Sequence, residues 1–335
     1  MVISVKNLHK NFKIFKKDPG FKGTLKALFN RQYEIKHALN DVSVDISEGE
    51  MVGLVGANGA GKTTLVKMLS GIIHPSSGEV SVLGFKPWER TNEFRKQIGL
   101  LMGQKAQLWW DLPAADCFLL LKEIYQIPQT QYQETLDELV TTLNVKELIT
   151  TQVRRLSLGE RMKMELIASL LHRPKVLFLD EPTLGLDISA QKAVRKFLLN
   201  YVKTYKPVVL LTSHYMQDIE ELCKRIVIIR DGRFVYDGEL SFIKQNYGSQ
   251  KIIRIRSEDL VEAREKIRSL GILDEKIFEK DEAIHFSVEK AHVPTVLSAL
   301  LVKVPVEDVG IEDEDIANVI ELIITKGMQH VASNQ

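Results

Sequence analysis

The sequence has 335 residues, which is enough for two domains, and its 44% hydrophobic and 27% charged residues are ordinary for a globular protein. A formal net charge of +1 excludes a protein that binds polyanions through its bulk charge. The opening residues MVISVKNLHK lack the apolar run of a signal peptide, and no segment approaches the roughly 20 apolar residues that span a bilayer, so we expect any work at a membrane to be done from its surface.

Two predicted strands flank a basic segment in the N-terminal part. Apolar and polar residues alternate in residues 2–5 and 42–46, which is typical of strands with one exposed face. The basic segment between them, residues 10–36, carries eight lysines and arginines. It is either a basic, amphipathic segment that lies along anionic lipid headgroups, where each cation contributes about 1 kcal/mol, or a solvated loop with one packed helix. Its apolar residues at helical spacing follow the turn signal at 19–20 and are Phe21, Leu25, Leu28 and Phe29.

Residues 56–63 read GANGAGKT and match the phosphate-binding pattern G-x-x-x-x-G-K-[ST] without a mismatch. The predicted strand Met51–Val55 precedes this loop and the predicted helix Lys62–Leu69 follows it, which is the context that the pattern requires. Glycines let consecutive backbone N–H groups point at phosphate oxygens, the Lys62 ammonium reaches the β- and γ-phosphates, and the Thr63 hydroxyl ligates Mg²⁺. The predicted nucleotide contacts of the loop are Gly56, Asn58, Gly59, Ala60, Gly61, Lys62, Thr63 and Thr64.

From about residue 105 to 171 the pattern is helical, with interruptions at Pro113 and Pro128. Cys117 lies in this region, and we expect it and Cys223 to be buried thiols, as is usual in a reducing cytosol. Residues 156–160 read LSLGE and come directly before a helical pattern. A serine before a glycine at a helix N-terminus favours anion binding, because free backbone N–H groups and the helix dipole both attract negative charge. The segment therefore predicts a second phosphate cradle.

Three further apolar runs predict buried strands at residues 176–179, 208–211 and 226–229. Residues 190–202 predict a helix between the first two of these strands. Alternation of strands and helices indicates an α/β fold with a parallel sheet.

Two carboxylates, Asp180 and Glu181, follow the first of these strands. Beside a phosphate-binding loop, the first carboxylate of such a strand holds Mg²⁺ through its water shell, so we predict this role for Asp180. Glu181 lies one residue further, where the strand leaves the sheet near the expected γ-phosphate. We predict that Glu181 orients and deprotonates the attacking water.

Three more polar residues have two interpretations each. Gln104, after the predicted strand Ile98–Met102, either bridges Mg²⁺ or the attacking water, or is a surface residue. Asp187 either belongs to the nucleotide site or caps the helix that follows it. His214 follows the strand at 208–211, at the end where the sites of α/β proteins gather, and is either a neighbour of the γ-phosphate or structural.

After about residue 240 the pattern changes to that of a small α+β unit. The predicted order is strand, helix, strand pair, helix, strand, helix, which is the order of a ferredoxin-like fold. Because this part of the sequence carries no His/Cys cluster and no glycine-rich loop, we expect it to be regulatory or to form dimers. The predicted domains are residues 1–240 and 250–327, followed by a frayed tail at 328–335.

Six motifs within residues 1–240 resemble those of the ATP-binding subunit of an ABC transporter, and they follow one another along the chain in the order of that family. GANGAGKT is similar to the Walker A loop, LSLGE to the signature usually written LSGGQ, and VLFLDEP to Walker B. Gln104 resembles the Q-loop glutamine, residues 185–187 the D-loop, and His214 the switch histidine. The stretch GQKAQLWWDLPAADCF resembles the corresponding sequence in the export branch of the family, whose subunits handle drugs, sodium ions or cell-surface polysaccharides. The implied fold is a P-loop NTPase cassette with a parallel core sheet, an antiparallel β subdomain and a helical subdomain, to which the ferredoxin-like unit is appended.

The resemblance implies an ATPase that uses Mg²⁺. In its signature, the Ser157 hydroxyl and the Gly159 N–H would touch phosphate. Leu158 and Glu160 stand where the family usually has Gly and Gln, so Glu160 is a candidate nucleotide contact whose interactions differ from those of the usual Gln. Asp187 of the D-loop is a further candidate contact. The implied catalytic residues are Lys62, Gln104, Glu181 and His214, and the implied metal ligands are Thr63, Gln104 and Asp180.

Adenine in this family stacks on an aromatic side chain near the first strand. Phe12 fits the usual offset from that strand best, whereas Tyr33 competes because the basic segment shifts the count. A third interpretation makes Phe12 a simple core residue.

The resemblance also implies partners. Two copies would pair head to tail, with each ATP between the P-loop of one chain and the signature of the other. A separate membrane permease would contact residues 104–117, where Trp109 and Trp110 are either interface anchors or core residues. The implied location is the cytoplasmic face of the cell membrane, and no nucleic acid is expected as a partner.

Two rival functions differ from transport. The first is a soluble ABC ATPase acting on ribosomes or DNA, but such relatives carry two cassettes in one chain or a long coiled coil, and this sequence has neither. The second is a non-catalytic nucleotide sensor, and the presence of both Lys62 and Glu181 argues against it.

Overall fold

The chain divides into two units, Met1–Gly238 and Glu239–Gln335. The first unit contains the phosphate-binding loop and the acidic strand end, and the second contains the α+β part of the sequence. The computed structural model describes residues 1–16, 32–103, 106–247, 250–257, 259–274, 277–280, 282–304, 306–313 and 316–326.

The strands described in the first unit form two sheets. In chain order they are β1 (Ile3–Lys16), β2 (Gln32–Ile46), β3 (Met51–Val55), β4 (Ser77–Val82), β5 (Ile98–Met102), β6 (Val176–Asp180), β7 (Val208–Thr212), β8 (Arg225–Arg230) and β9 (Arg233–Glu239). Six of them form the central sheet, in the order β5-β6-β7-β3-β8-β9, and its pairs from β5 to β8 are parallel. Every residue of β6 and β7 is buried, because parallel strands are covered on both faces, and this explains their continuous apolar sequence.

The helices described in the first unit include those predicted at 62–69 and 190–202, and three helices occupy part of the predicted helical region 105–171. In chain order the helices are α1 (Lys62–Leu69), α2 (Asn92–Arg95), α3 (Ala114–Tyr125), α4 (Gln129–Thr142), α5 (Leu158–Leu170), α6 (Ile188–Tyr205) and α7 (Met216–Leu222). Pro113 and Pro128 occupy the N-cap positions of α3 and α4. Pro128 separates two helices as predicted, whereas residues 106–112 before Pro113 are not helical, so the predicted helical pattern is wrong for them. Cys117 and Cys223 are buried free thiols, as predicted.

The second sheet is antiparallel, in the order β2-β1-β4, and its first two strands are much longer than predicted. Their ladder continues to the pair Lys16 and Gln32, so residues 10–16 and 32–36 of the basic segment are strands and the prediction of a solvated loop is wrong for them. In this extension the facing backbone groups of the two strands pair with each other. The predicted helix over Phe21, Leu25, Leu28 and Phe29 lies outside the described residues.

The second unit has the predicted order of strands and helices. After α8 (Leu240–Tyr247) come β10 (Gln250–Arg256), α9 (Leu260–Ser269), β11 (Ile277–Lys280), β12 (Ala283–Glu289), α10 (Val293–Lys303), β13 (Asp308–Asp313) and α11 (Ile316–Lys326). The sheet is antiparallel in the order β11-β12-β10-β13, and its core includes Ile253, Ile255 and Phe286. The unit begins before residue 250, because α8 belongs to it, and the predicted tail at 328–335 lies outside the described residues.

Within the described part of the chain, none of the helices has both the length and the apolar character that crossing a membrane requires.

Candidate functional site

The phosphate-binding loop joins β3 to α1 and ends on a glycine with a left-handed backbone. Gly61 has a φ of 118°, and a Cβ there would lie 2.7 Å from the Ala38 carbonyl oxygen, so a larger residue does not fit. Among the described side chains, none caps the N-terminus of α1. The helix dipole and the first N–H groups of α1 therefore favour an anion at this end, as expected of a phosphate cradle.

Lys62 is folded back onto this loop. Its Nζ donates hydrogen bonds to the carbonyl oxygens of Gly56, at 2.6 Å, and Ala57, at 3.1 Å, and only 5% of the residue is exposed. Burial lowers the pKa of Lys62, while the charges of Glu181 and Asp180 oppose that shift. The ammonium is thus held beside two carboxylates at the carboxyl end of the parallel strands.

Asp180 ends β6 beside two hydroxyl groups. Its Oδ1 accepts hydrogen bonds from Thr212 Oγ1 at 2.6 Å and from Thr63 Oγ1 at 3.3 Å. Hydroxyl and carboxylate oxygens are the hard ligands that Mg²⁺ prefers, so the pair formed by Thr63 and Asp180 fits this metal. The backbone N–H of Gly103 donates to the Asp180 carbonyl oxygen at 2.8 Å, which brings the end of β5 to this point, but Gln104 itself lies outside the described residues.

Glu181 and His214 form a contact pair, with 2.7 Å between Glu181 Oε1 and His214 Nε2. The φ of Glu181 is 59°, in the left-handed region that non-glycine residues rarely adopt. Its backbone N–H donates to Thr212 through the carbonyl oxygen, at 3.0 Å, and Oγ1, at 3.2 Å, which holds the chain in this turn as it leaves β6. Strained backbone of this kind persists where the surroundings enforce it, and it is common at functional sites.

A cavity of about 840 Å³ lies over the loop and is lined by Lys62, Glu181 and His214. Phe12 of β1 also lines it, is 37% exposed, and has the Lys10 Nζ 5.0 Å from its ring centroid, so it is not a core residue. Tyr33 lies three ladder pairs further along, opposite residue 15, and the described lining of the cavity does not include it. The geometry therefore favours Phe12 over Tyr33 as the ring beside a nucleotide.

The other predicted loop contacts divide into two groups. Gly56 and Ala60 support the loop: a Cβ on Gly56 would lie 2.3 Å from the Ile229 carbonyl oxygen, and the Ala60 N–H donates to the Ala57 carbonyl oxygen at 3.1 Å. The remaining predicted contacts line the cavity and are Asn58, Gly59, Gly61, Lys62, Thr63 and Thr64.

The signature residues lie at the N-terminus of α5 and do not belong to the described lining of this cavity. Ser157 is the N-cap of α5, and Glu160 completes a capping box with it. The Ser157 N–H donates to Glu160 Oε2 at 2.9 Å, the Ser157 hydroxyl donates to the same oxygen at 2.8 Å, and the Glu160 N–H lies 3.3 Å from Ser157 Oγ. The bonds from Ser157 lower the pKa of the Glu160 carboxyl. The Glu160 carboxylate therefore brings a negative charge to this helix end, where the usual Gln would bring a neutral amide.

Asp187 caps α6, because its Oδ1 accepts a hydrogen bond from the Ala190 N–H at 2.9 Å. Of the two interpretations of Asp187, the structure of this chain therefore shows the helix cap. The same helix end packs against the signature, since a Cβ on Gly159 would lie 3.3 Å from the Ala190 Cβ and one on Gly185 would lie 3.0 Å from Leu158 Cδ2. The N-termini of α5 and α6 are therefore neighbours.

Trp109 and Trp110 are 44% and 52% exposed, so the prediction that they are core residues is wrong. The Arg161 guanidinium lies 5.4 Å from the Trp110 ring centroid.

Glu165 of α5 contacts the loop before these tryptophans. Its Oε1 accepts hydrogen bonds from the backbone N–H groups of Gln107, at 2.9 Å, and Leu108, at 3.3 Å. Burial raises the pKa of this Glu165 carboxyl.

Sequence reasoning missed several residues of the site. Thr212 has no predicted role, although it bonds both Asp180 and Glu181. Asp218 is fully buried in α7, and its carboxylate bonds the loops that follow β6 and β7. The polar residue at the end of an apolar run was the available signal for Thr212, whereas Asp218 has no such local signal.

Comparisons with known proteins agree with this geometry. A protein-family model described as ABC transporter matches residues 39–184. The chain is 29% identical to the ABC transporter ATP-binding protein NatA of Bacillus subtilis (strain 168), over 70% of this chain and 94% of that protein. It is 33% identical to the daunorubicin resistance ATP-binding protein DrrA3 of Streptomyces coeruleorubidus, over 66% of this chain and 70% of that protein. A solved structure of the ATP-binding subunit of an ABC transporter superposes with a TM-score of 0.61 and 25% identity, covering 74% of this chain and 94% of that one.

Proposed function

The chain belongs to the ATP-binding proteins of ABC transporters, and from this premise we propose that it is the ATP-hydrolysing subunit of an exporter that works through a separate permease. The observation that carries the proposal is the meeting of Lys62, Glu181 and His214 around one cavity at the carboxyl end of the parallel strands. The drug-resistance relative supports the export direction.

The cavity has the chemistry that a nucleoside triphosphate needs. Phe12 offers a ring for adenine, and the N-terminus of α1 with Lys62 offers positive potential for the β- and γ-phosphates. Thr63 and Asp180 would hold Mg²⁺, which neutralises phosphate charge when it is bound. ATP is therefore the nucleotide that we assign to this site.

Hydrolysis requires a base beside the γ-phosphate. Glu181 is placed to take a proton from a water as the water oxygen attacks the γ-phosphorus and the bond to the bridging oxygen of ADP breaks. His214 contacts the Glu181 carboxylate at 2.7 Å and fixes its orientation. Thr212 fixes the backbone of Glu181 and the side chain of Asp180, so the base and the metal ligand keep a constant spacing.

The signature supplies an argument for dimerisation. Ser157 and Gly159 lie at a helix N-terminus that suits phosphate, yet they are outside the described lining of the chain's own cavity. A second copy in head-to-tail orientation would bring its signature to this cavity, and twofold symmetry makes both contacts at once. In this arrangement Asp187, beside the signature, lies near the shared nucleotide, and ATP acts as the contact that closes the dimer.

The exposed Trp109 and Trp110 are the proposed anchors for the permease, because half-exposed tryptophans are frequent at protein interfaces. The exposed apolar residues of α3, Leu119 and Ile124, extend the same kind of surface. Such a partner places the chain at the cytoplasmic face of the cell membrane. The lipid contact predicted for residues 10–36 involves residues outside the described part of the chain, and it stays a prediction, as does a regulatory role of the second unit.

The rival function, a soluble ABC ATPase on ribosomes or DNA, is not favoured. The relatives reported above are named as transporter or drug-resistance proteins. No described feature of the chain requires a nucleic-acid partner, and its net charge is +1.

Glu181→Gln tests the proposed chemistry most simply. The variant keeps the shape of the side chain but cannot accept the proton, so we expect ATP to bind normally while turnover falls by at least about a hundredfold and closed dimers accumulate. Glu147→Gln, at an exposed position outside the cavity, is the matched control. Hydrolysis near the wild-type rate in Glu181→Gln would remove Glu181 as the base.

A further inference from the structure

A buried carboxylate that the proposed chemistry does not use lies directly behind the site. Asp218 of α7 is 0% exposed, yet it makes three side-chain contacts. Its Oδ2 accepts hydrogen bonds from Ser213 Oγ, at 2.7 Å, and from Thr183 Oγ1. Its Oδ1 accepts a hydrogen bond from Arg195 Nη1 at 2.9 Å.

The two hydroxyl donors belong to the loops that carry the catalytic pair. Thr183 is two residues after Glu181, and Ser213 is the residue before His214. Asp218 therefore connects the loop after β6 with the loop after β7, at the point where Glu181 and His214 face each other at 2.7 Å. Ser213 Oγ also accepts a hydrogen bond from the Tyr215 N–H at 3.0 Å, which fixes the backbone on both sides of His214.

Arg195 forms a fully buried ion pair with this carboxylate. The guanidinium is itself 0% exposed and also donates from Nε to Glu221 Oε2 at 2.9 Å. The carboxylate accepts hydrogen bonds from both hydroxyl groups and from the guanidinium, so one buried group holds all three donors.

We propose that Asp218 is a positioning residue for ATP hydrolysis, which holds the loops of Glu181 and His214 at a fixed separation through Thr183 and Ser213. The inference rests on the proposed function of this site. Asp218 acts on the hydrolysis step and not on nucleotide binding, because Lys62 and the phosphate-binding loop make no described contact with it. A purely structural role for the cluster would instead change stability without a selective effect on turnover.

Two single substitutions test this role while the buried pair of Asp218 and Arg195 stays intact. Ser213→Ala and Thr183→Val each remove one hydroxyl group from the carboxylate. We expect each to lower kcat for ATP roughly tenfold and to leave KM and the Kd for ATP within about twofold, because a small displacement of the base costs the chemical step and not binding. The pH profile of kcat should also change, since the contact between Glu181 and His214 is altered.

Matched controls come from buried hydroxyl groups elsewhere in the first unit. Ser169→Ala removes a 6% exposed serine that bonds the Leu166 carbonyl oxygen within α5, and Thr135→Val removes a fully buried threonine of α4. All four variants are compared by urea unfolding, steady-state hydrolysis and fluorescent ATP binding on the full chain. We expect both controls to keep kcat within about twofold of the wild-type value.

Three results would separate the possible failures. If Ser213→Ala and Thr183→Val keep the wild-type kcat while Glu181→Gln is inactive, the positioning role is overturned and the proposed function stands. If the controls lose kcat as much as the two test variants do, a general loss of stability explains the effect and the positioning role is again overturned. If the wild-type chain neither binds nor hydrolyses ATP, the proposed function fails independently of Asp218.

Discussion

The N-termini of α1 and α5 are both suited to phosphate, but they differ in what already occupies them. α1 begins after Gly61, and no described side chain caps it. α5 begins after Ser157, and the carboxylate of Glu160 accepts hydrogen bonds from the N–H and the hydroxyl of that serine at 2.9 and 2.8 Å. One end is open to an anion, whereas the other holds an anion supplied by its own chain.

The difference shows which of the two cradles needs rearrangement. The loop before α1 has its shape set by glycines and a buried lysine, so a phosphate enters a site that already exists. At α5, the Ser157 hydroxyl donates its proton to Glu160, and a phosphate would have to take the place of that carboxylate. The signature is therefore the half of the proposed composite site where closure competes with an interaction inside the chain.

The largest effect is expected at the open cradle. Lys62→Ala removes the only lysine whose ammonium, among the described residues, bonds the loop carbonyls. We expect kcat/KM for ATP to fall by at least about a hundredfold, because the cation acts on the charge that develops on the phosphates. Lys67→Ala, on the same helix, is the control. Isothermal titration with ATP and a hydrolysis assay check the result, and wild-type values for both would contradict the assignment.

A smaller effect of opposite sign is expected at the occupied cradle. Glu160→Gln keeps the length of the side chain but removes the charge that faces an incoming phosphate. We expect the ATP concentration for half-maximal hydrolysis to fall about threefold to tenfold, as a like charge is removed a few ångströms from the γ-phosphate. Glu147→Gln serves as control. A rise in that concentration would mean that the carboxylate assists closure and does not compete with it.

The smallest effect concerns stability. Glu160→Ala removes the capping box, and we expect the free energy of unfolding to fall by about 1 kcal/mol at neutral pH. The pKa of Glu160 is lowered in the folded chain, so its contribution is complete above the pKa of the unfolded state and is lost as the pH falls through the folded pKa. Urea unfolding of the wild-type chain and Glu160→Ala should therefore converge on acidification, and a gap that does not change with pH would exclude this cause.

The regular part of the fold and the open cradle could be predicted from the sequence. The strand Met51–Val55 and the helix Lys62–Leu69 have the predicted bounds, because a continuous apolar run before a glycine-rich loop is a strong local signal. The capping box is also encoded locally, since Ser157 and Glu160 have the S-x-x-E spacing of that motif.

Other features depend on contacts that no local pattern encodes. The extension of β1 and β2 is held by pairing between two segments that each look like a charged loop, and the pairing is visible only once both are placed. Asp218 resembles an ordinary acid in the first turn of a short helix, and its role depends on Thr183 and Arg195, which lie 35 and 23 residues away in the sequence. Such long-range polar contacts follow from the fold and not from periodicity.

The central claim, that one chain's open cradle works with another chain's signature, is tested most directly by mixing two inactive variants. Ser157→Arg blocks the signature and Lys62→Ala disables the phosphate-binding loop, so each homodimer lacks an intact site, whereas the mixed dimer has one. With differently tagged chains in equal amounts, we expect each variant alone to be inactive and the mixture to recover about a quarter of the wild-type ATPase rate, because half of the dimers would carry one of two sites. A mixture in which the tags show that mixed dimers form, but which hydrolyses no more ATP than either variant alone, would contradict the claim.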